Sequence, residues 1–93
     1  MEIVGHLIDG KSVIENTATI PLINPATGIQ ESELAMASAE QTRRAIKSAS
    51  QAYPHWRATP PSKRAQVMFR FKSLIEAHVT EISDLIGREH GKI

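Results

Sequence analysis

The sequence has 93 residues, enough for one small domain, and its composition of 41% hydrophobic and 23% charged residues excludes a collagen-like or wholly disordered chain. It contains no cysteine, which excludes a disulfide framework, a thiolate metal site and a cysteine nucleophile within these residues. The net charge of +1 conceals a segregated pattern: one base and six acids in residues 1–40, eight bases and no acid in 41–75, and two bases and four acids in 76–93.

Residues 1–37 are predicted to form short strands and turns. Asp9 and Gly10 separate two short runs, which is the strongest local signal for a β-hairpin with a type I′ turn. A polar loop is predicted at residues 15–17. A strand is predicted over 19–23, and Pro21 confines it to an edge or an end of a sheet, because proline has no N–H to donate.

A turn and a further strand complete this first part. Residues 24–28 read as a turn, since Pro25 presets its own φ and Gly28 tolerates a left-handed exit. Residues 32–37 are predicted to form a strand that places Leu34 and Met36 on one face.

A first helix is predicted over residues 38–53. Ser38 is a good N-cap and Gln41 follows three residues later, which is the pattern of a capping box. Pro54 is expected to stop the helix. One narrow apolar stripe recurs at helical spacing and is rich in small residues: Thr42, Ala45, Ile46, Ala49, Ala52 and Tyr53.

A second helical segment is predicted over residues 59–90. It has a wide apolar face and is expected to be broken near 77–79, where the apolar stripe shifts phase. Thr59 is expected to cap it, with Pro60 at its first position, and Gly87 or Gly91 to end it. Its apolar residues are Ala65, Met68, Phe69, Phe71, Leu74, Ile75, Val79, Ile82, Leu85 and Ile86.

The predicted architecture is therefore short strands with a hairpin, followed by two to three α-helices. The apolar helix face is too wide for so short a chain to cover, which indicates that further protein packs against it. Self-association through the surface around Met68, Phe71 and Ile75 is one expected consequence.

Motifs that carry chemistry are not found in the sequence. His6, His55, His78 and His90 show no pairing at metal-ligand spacing, and the five glycines do not form a phosphate-binding loop. No pair of carboxylates has the pattern of an acid–base couple. The sequence alone thus predicts no catalytic, cofactor-binding or metal-binding residue.

The basic segment 43–72 leaves an alternative open. It could belong to a stand-alone helical module that binds an acidic protein or a nucleic acid. The run from Phe69 to Lys72 interleaves aromatic and basic residues, but helical spacing favours a core position for Phe71, and nucleic-acid binding is the less favoured reading. The chain has no apolar run of the roughly 20 residues that a membrane span needs and no secretion signal, so a cytoplasmic protein without a membrane partner is expected.

Four landmarks, in this order and spacing, resemble the start of an aldehyde dehydrogenase. They are Asn24-Pro25-Ala26-Thr27-Gly28, Ala52-Tyr53-Pro54-His55-Trp56, Pro60-Pro61-Ser62-Lys63-Arg64-Ala65 and Glu89-His90-Gly91-Lys92. Within that superfamily, Leu7-Ile8-Asp9-Gly10-Lys11 and the run from Arg64 to Lys72 resemble the methylmalonate-semialdehyde dehydrogenase branch.

The resemblance implies an α/β parent enzyme, of which residues 1–93 are the amino-terminal portion of the NAD-binding domain. The branch oxidises malonate or methylmalonate semialdehyde with NAD and coenzyme A, yielding acetyl-CoA or propionyl-CoA and carbon dioxide. Its partners would be the remainder of the same polypeptide and further copies in a homo-oligomer. Neither cofactor is expected to bind these 93 residues alone.

The resemblance assigns no catalytic residue to this sequence. The family's cysteine nucleophile, its oxyanion stabilisers, its glutamate and its NAD-contacting segments all belong to later parts of the enzyme. In some members the backbone carbonyl before the Asn-Pro turn contributes to a monovalent cation site, and Ile23 holds that position here.

Overall fold

The computed structural model describes residues 1–15 and 18–91. Residues 16 and 17 of the predicted polar loop lie outside the described residues, as do Lys92, the last residue of the fourth landmark, and Ile93.

The described residues form five short strands in two sheets. A three-stranded sheet has the order β1-β5-β4, with β1 parallel and β4 antiparallel to the central strand β5, while β2 and β3 form a separate antiparallel pair. The strands are β1 (Glu2–Val4), β2 (His6–Ile8), β3 (Lys11–Val13), β4 (Thr19–Ile23) and β5 (Gln30–Ala35).

The predicted hairpin is confirmed. Strands β2 and β3 pair antiparallel with Ile8 opposite Lys11. Asp9 and Gly10 between them have φ values of 53° and 71°, and two consecutive positive φ angles define the type I′ turn that matches the twist of the strands.

The strand containing Pro21 lies at an edge of its sheet, as predicted. The turn after it forms because the Asn24 side-chain oxygen accepts a hydrogen bond from the Ala26 N–H at 2.9 Å and Gly28 adopts a φ of 73°. The strand predicted over 32–37 is displaced: β5 begins at Gln30, which pairs with Ile23, and ends at Ala35. Pairing with β4 sets these limits.

Helix α1 (Ala39–Ala58) is longer than predicted, because Pro54 lies inside it. The expectation that Pro54 ends the helix was wrong. Proline lacks the backbone N–H that would otherwise donate to the Ser50 carbonyl, but the residues after it keep their N–H donors. The last turn is closed by Thr59, whose N–H donates to the Trp56 carbonyl at 3.1 Å and whose hydroxyl donates to that of His55 at 2.8 Å.

The capping box at the start of α1 is confirmed. The Gln41 N–H donates to Ser38 Oγ at 3.0 Å, and the Ser38 N–H donates to Gln41 Oε1 at 3.2 Å. Gln41 is only 1% exposed and, with Ala35 at 3%, is one of two buried residues in the described part of the chain.

Replacing Ser38 by alanine is expected to lower the free energy of unfolding by about 1 kcal/mol, because the Gln41 N–H loses its acceptor at a site that water barely reaches. Urea titration measures this difference. The matched control is Ser48→Ala inside the same helix, where alanine is the better helix former and no loss is expected. Equal effects of the two substitutions would contradict the role of the cap.

Two helices follow, α2 (Pro61–Ala77) and α3 (Val79–His90), with the break at His78. The predicted interruption near 77–79 is confirmed, and Gly91 ends α3 with a φ of 74°. The prediction that Thr59 caps the second segment was wrong: the N-cap is Pro60, without a side-chain hydrogen bond. The Thr59 hydroxyl is already engaged in the last turn of α1.

The arrangement is thin and open. Its shortest dimension is 16 Å, little more than one helix diameter of about 10–12 Å. The Cα radius of gyration is 16.8 Å, against about 12 Å for a compact domain of this length. The chain exposes 7678 Å², about 2,400 Å² more than the roughly 5,300 Å² of a compact protein of its mass.

These dimensions mean that the helices and strands form one layer without the second layer that would cover a hydrophobic core. The short strands followed by three helices agree with the predicted class. Among the described helices, none combines the length and the apolar character needed to cross a membrane.

Candidate functional site: the apolar face of helix α2

The largest unpartnered feature is one side of α2. Five apolar residues recur at positions i, i+1, i+4, i+7 and i+8, which places them on one face of a helix. We call this the α2 apolar face; it comprises Val67, Met68, Phe71, Leu74 and Ile75. Met68 is 56% exposed and Phe71 is 54% exposed, so the face predicted to need a partner does lack one within these residues.

Phe69 does not belong to this face. Two residues along a helix turn the side chain by about 200°, so Phe69 lies on the side of α2 opposite Phe71. It is 68% exposed and lines a shallow depression with Arg70, Ser73 and Leu74. The core position expected for Phe71 is not found among the described residues, where this side chain is exposed as well. A helix that is apolar on both sides is typical of an element covered from both sides.

Arg64 is the residue on this helix that the sequence reading missed. It precedes Met68 by four residues and Phe71 by seven, and therefore shares their face. It is half-buried, unlike every other described residue of α2, and its Nε has no hydrogen-bond partner among the described residues. A base at position i–4 of an apolar stripe is the sequence signal that could have singled it out.

The basic segment is partly neutralised by carboxylates. Arg44 Nη1 donates to Glu15 Oε1 at 3.1 Å and Nη2 donates to Glu40 Oε1 at 2.6 Å. The hydrogen bond to Glu40, with the negative charges of both carboxylates, raises the pKa of Arg44 above its ordinary value. Lys72 pairs with Glu76 one turn along α2. Two of the eight bases are thus already paired, which weakens the field that a nucleic acid would meet.

A groove lies between α3 and the adjoining ends of β4 and β5. It encloses about 490 Å³ and includes Ile23, the residue that the resemblance links to a cation site, and the carboxylates of Glu2, Glu31 and Glu89. Glu31 accepts a hydrogen bond from the Asn24 side chain at 3.2 Å. No group of three or more His, Cys, Asp or Glu residues suited to a metal ion occurs in residues 1–15 and 18–91.

In the part of the chain that the structure describes, the histidines do not join any group of three or more potential metal ligands. His78 Nδ1 lies 3.2 Å from Glu81 Oε2, and this pair is exposed at the break between α2 and α3. His6 has a buried Nε2 without a partner among the described residues.

The residues present do not fit the pyrophosphate of NAD, the cofactor that the resemblance implies. A phosphate binds at the N-terminus of a helix, where the first backbone N–H groups are free. In this chain the corresponding position is the start of α1, which follows β5. Here the capping box engages the Gln41 N–H, and Glu40 adds a negative charge in the first turn that would repel a phosphate. We therefore derive no cofactor-dependent step from this chain.

Self-association of the isolated chain stays a prediction. The α2 apolar face exposes Met68, Phe71 and Ile75, and exposed apolar patches of this kind drive association. Sedimentation of the 93-residue chain is expected to show species larger than a monomer at high concentration, and Phe71→Glu is expected to restore the monomer. A chain that stays monomeric at every concentration would contradict the prediction.

A family model described as the aldehyde dehydrogenase family matches residues 13–93. Among curated relatives, a malonate-semialdehyde dehydrogenase of Pseudomonas aeruginosa is 45% identical over 94% of this chain and 18% of its own length. The mitochondrial acylating methylmalonate-semialdehyde dehydrogenase of Arabidopsis thaliana is 36% identical over 96% of this chain and 15% of its own length. The chain thus spans less than a fifth of the curated relatives it matches.

Solved structures agree with this similarity. The methylmalonate-semialdehyde dehydrogenase of Oceanimonas doudoroffii is 54% identical, superposes with a TM-score of 0.95, and matches 100% of this chain and 19% of its own. A Sinorhizobium meliloti protein assigned to the same activity, solved in complex with NAD, is 37% identical with a TM-score of 0.90, and the match covers 97% of this chain and 18% of its own.

Proposed function

The chain belongs to the aldehyde dehydrogenase family, and on that premise we propose that it forms the amino-terminal part of a longer, NAD-dependent semialdehyde dehydrogenase. The substrate is malonate or methylmalonate semialdehyde. With NAD and coenzyme A the enzyme forms acetyl-CoA or propionyl-CoA, carbon dioxide and NADH. The names of the similar proteins support the substrate class, and an NAD-bound neighbour supports the cofactor.

The observation that carries this proposal is the large solvent-exposed surface of the chain. The chain exposes about 2,400 Å² more than a compact protein of its mass, yet it superposes on part of a chain five times longer with a TM-score of 0.95. A layer with that much uncovered surface is stable once a second layer packs on it. The role we propose for these residues is therefore to form an outer layer of the NAD-binding domain.

The reacting groups belong to the part of the enzyme outside these residues. In the family that the sequence resembles, a cysteine thiolate attacks the aldehyde carbon, because a thiolate is the strong nucleophile available near neutral pH. This chain has no cysteine, so it contributes to the reaction by holding its neighbours in place. The enzyme is proposed to be cytoplasmic and to assemble as a homo-oligomer.

The test is to express the full-length reading frame and assay NADH formation with malonate semialdehyde and coenzyme A. Turnover is expected only when both cosubstrates are present. The 93-residue chain alone is expected to show no turnover and no micromolar binding of NAD by calorimetry. Turnover of the semialdehyde by the isolated chain would end the proposal.

A DNA-binding measurement on the isolated chain separates this proposal from an interaction module. Binding through the basic segment 43–72 would weaken steeply as salt increases, because phosphate counterions are displaced. We expect no such binding, since Arg44 and Lys72 are paired with carboxylates. Tight, salt-dependent binding would favour the module.

A further inference from the structure

The charged side chain of Arg64 lies on the same side of α2 as the apolar face, and one of its nitrogens has no hydrogen-bond partner among the described residues. Arg64 lies among Val67, Met68 and Phe71 by helical spacing. Its Nε is buried and has no partner in the described part of the chain. An unsatisfied buried donor is costly, and the cost is greater for a group that carries charge.

Arg64 is more accessible than Gln41, whose Nε2 is also buried without a partner among the described residues. Gln41 as a residue is only 1% exposed, so no group from outside can reach its Nε2. Arg64 is half-buried as a residue although its Nε is itself covered, so a partner that packs against α2 can reach the remaining part of the residue.

We propose that, in the longer enzyme, polypeptide outside these 93 residues packs on the α2 apolar face and places a carboxylate against Arg64. The apolar residues supply the buried area, and the ion pair sets the register of the contact. Arginine suits this position because its planar guanidinium binds a carboxylate with two parallel hydrogen bonds. The inference rests on the proposed function, since it requires that longer enzyme.

Charge complementarity favours this occupant over a second copy of α2. A symmetric contact would bring the same surface of two chains together. Helix α2 carries four bases, and its one acid, Glu76, is paired with Lys72, so such a contact would place Arg64 beside further positive charge. Like charges facing each other across an interface cost several kcal/mol. The curated relatives are more than five times as long as the matched segment, so polypeptide is available to cover the face.

Hydrogen exchange of the full-length enzyme tests the ion pair with three variants. Arg64→Met keeps the length of the side chain and removes the charge, Arg64→Lys keeps the charge and loses the planar fork, and Arg70→Met is the control on another side of the same helix. At neutral pH the α2 amides are expected to exchange at least tenfold faster in Arg64→Met, by an intermediate factor in Arg64→Lys, and within twofold of wild type in Arg70→Met. Equal exchange in Arg64→Met and Arg70→Met would overturn the inference.

Chemical modification of the wild-type enzyme gives a readout that needs no variant to fold. Phenylglyoxal is expected to modify Arg64 at least tenfold more slowly than Arg70, and a crystal structure is expected to show a carboxylate oxygen from beyond residue 93 within about 4 Å of Arg64. Equal modification rates, or only carbonyl oxygens at Arg64, would overturn the inference. Protection that disappears when an oligomer is diluted to monomers would assign the face to a second copy instead.

Failure of this inference and failure of the proposed function are distinguishable. If the wild-type enzyme oxidises malonate semialdehyde and Arg64 shows no protection, the inference alone fails. If Arg64 is protected and no semialdehyde is oxidised, the proposed function alone fails.

Discussion

Replacing Phe71 by alanine in the full-length protein is expected to lower the free energy of unfolding by about 3–5 kcal/mol, the usual cost of removing a buried aromatic ring. In the 93-residue chain the ring is 54% exposed, so the same substitution there should cost far less. The difference arises because the loss scales with the contacts and the buried area that the ring has in each context. Urea titration of both forms measures it.

The neighbouring residue supplies the control for this prediction. Lys72 follows Phe71 by one residue, which is a rotation of about 100° around the helix axis, so it lies outside the α2 apolar face. Its side chain pairs with Glu76 on the surface. Lys72→Ala is expected to change the free energy of unfolding by no more than about 0.5 kcal/mol in either form. If Phe71→Ala has an equally small effect in the full-length protein, no layer covers the α2 apolar face.

Replacing Gly5 by alanine is expected to destabilise the protein by about 1–3 kcal/mol, because the site has no room for a methyl group. Gly5 lies where the chain leaves β1 and enters the β2–β3 hairpin. A Cβ atom there would lie 2.3 Å from Ile14 Cγ1 and 2.7 Å from the Val13 carbonyl oxygen. The backbone must shift to relieve the second contact, and the shift would disturb the exit from β3.

A double-mutant cycle with Ile14 tests the cause of that loss. Ile14 is exposed, so Ile14→Ala alone is expected to be mild. Gly5→Ala should cost less in the Ile14→Ala background than in the wild type, by at least about 0.5 kcal/mol. Additive effects of the two substitutions would show that crowding against Ile14 is not the reason for glycine at this position.

Local chemistry accounts for the elements that the sequence predicted well. Asp9 and Gly10 form a type I′ turn because they tolerate positive φ, and Ser38 with Gln41 begins α1 because their side chains complete its first hydrogen bonds. These signals act within three or four residues, so no knowledge of the rest of the fold is needed to interpret them.

Two predicted boundaries were wrong for one shared reason. Pro54 was expected to end the first helix, and Thr59 was expected to begin the next. Both expectations overlooked the last turn of α1, in which the Thr59 side chain and N–H satisfy two carbonyls downstream of the proline. A single missing donor is tolerated when the following turn is closed in this way.

Strand β1 shows what local patterns cannot reveal. It has three residues, and it exists because Glu2–Val4 pairs in parallel with residues of β5 about 30 positions later. Such a pairing leaves no signal in the neighbouring sequence, since its hydrogen bonds depend on a distant partner. The close approach of Gly5 to Ile14 is hidden for the same reason.

The sequence determined the turns, the caps, the helical periodicity and the family resemblance, because each of these is recorded in residues that are near one another or in a fixed order. Only the tertiary structure decided which strands are neighbours, how thin the layer is, and that Phe69 and Phe71 are both exposed on opposite sides of α2. It also showed that Arg64 Nε is buried without a hydrogen-bond partner among the described residues. These properties depend on which segments pack against each other in the fold. Burial and hydrogen bonding arise from contacts between distant segments, so no single segment of the sequence records them.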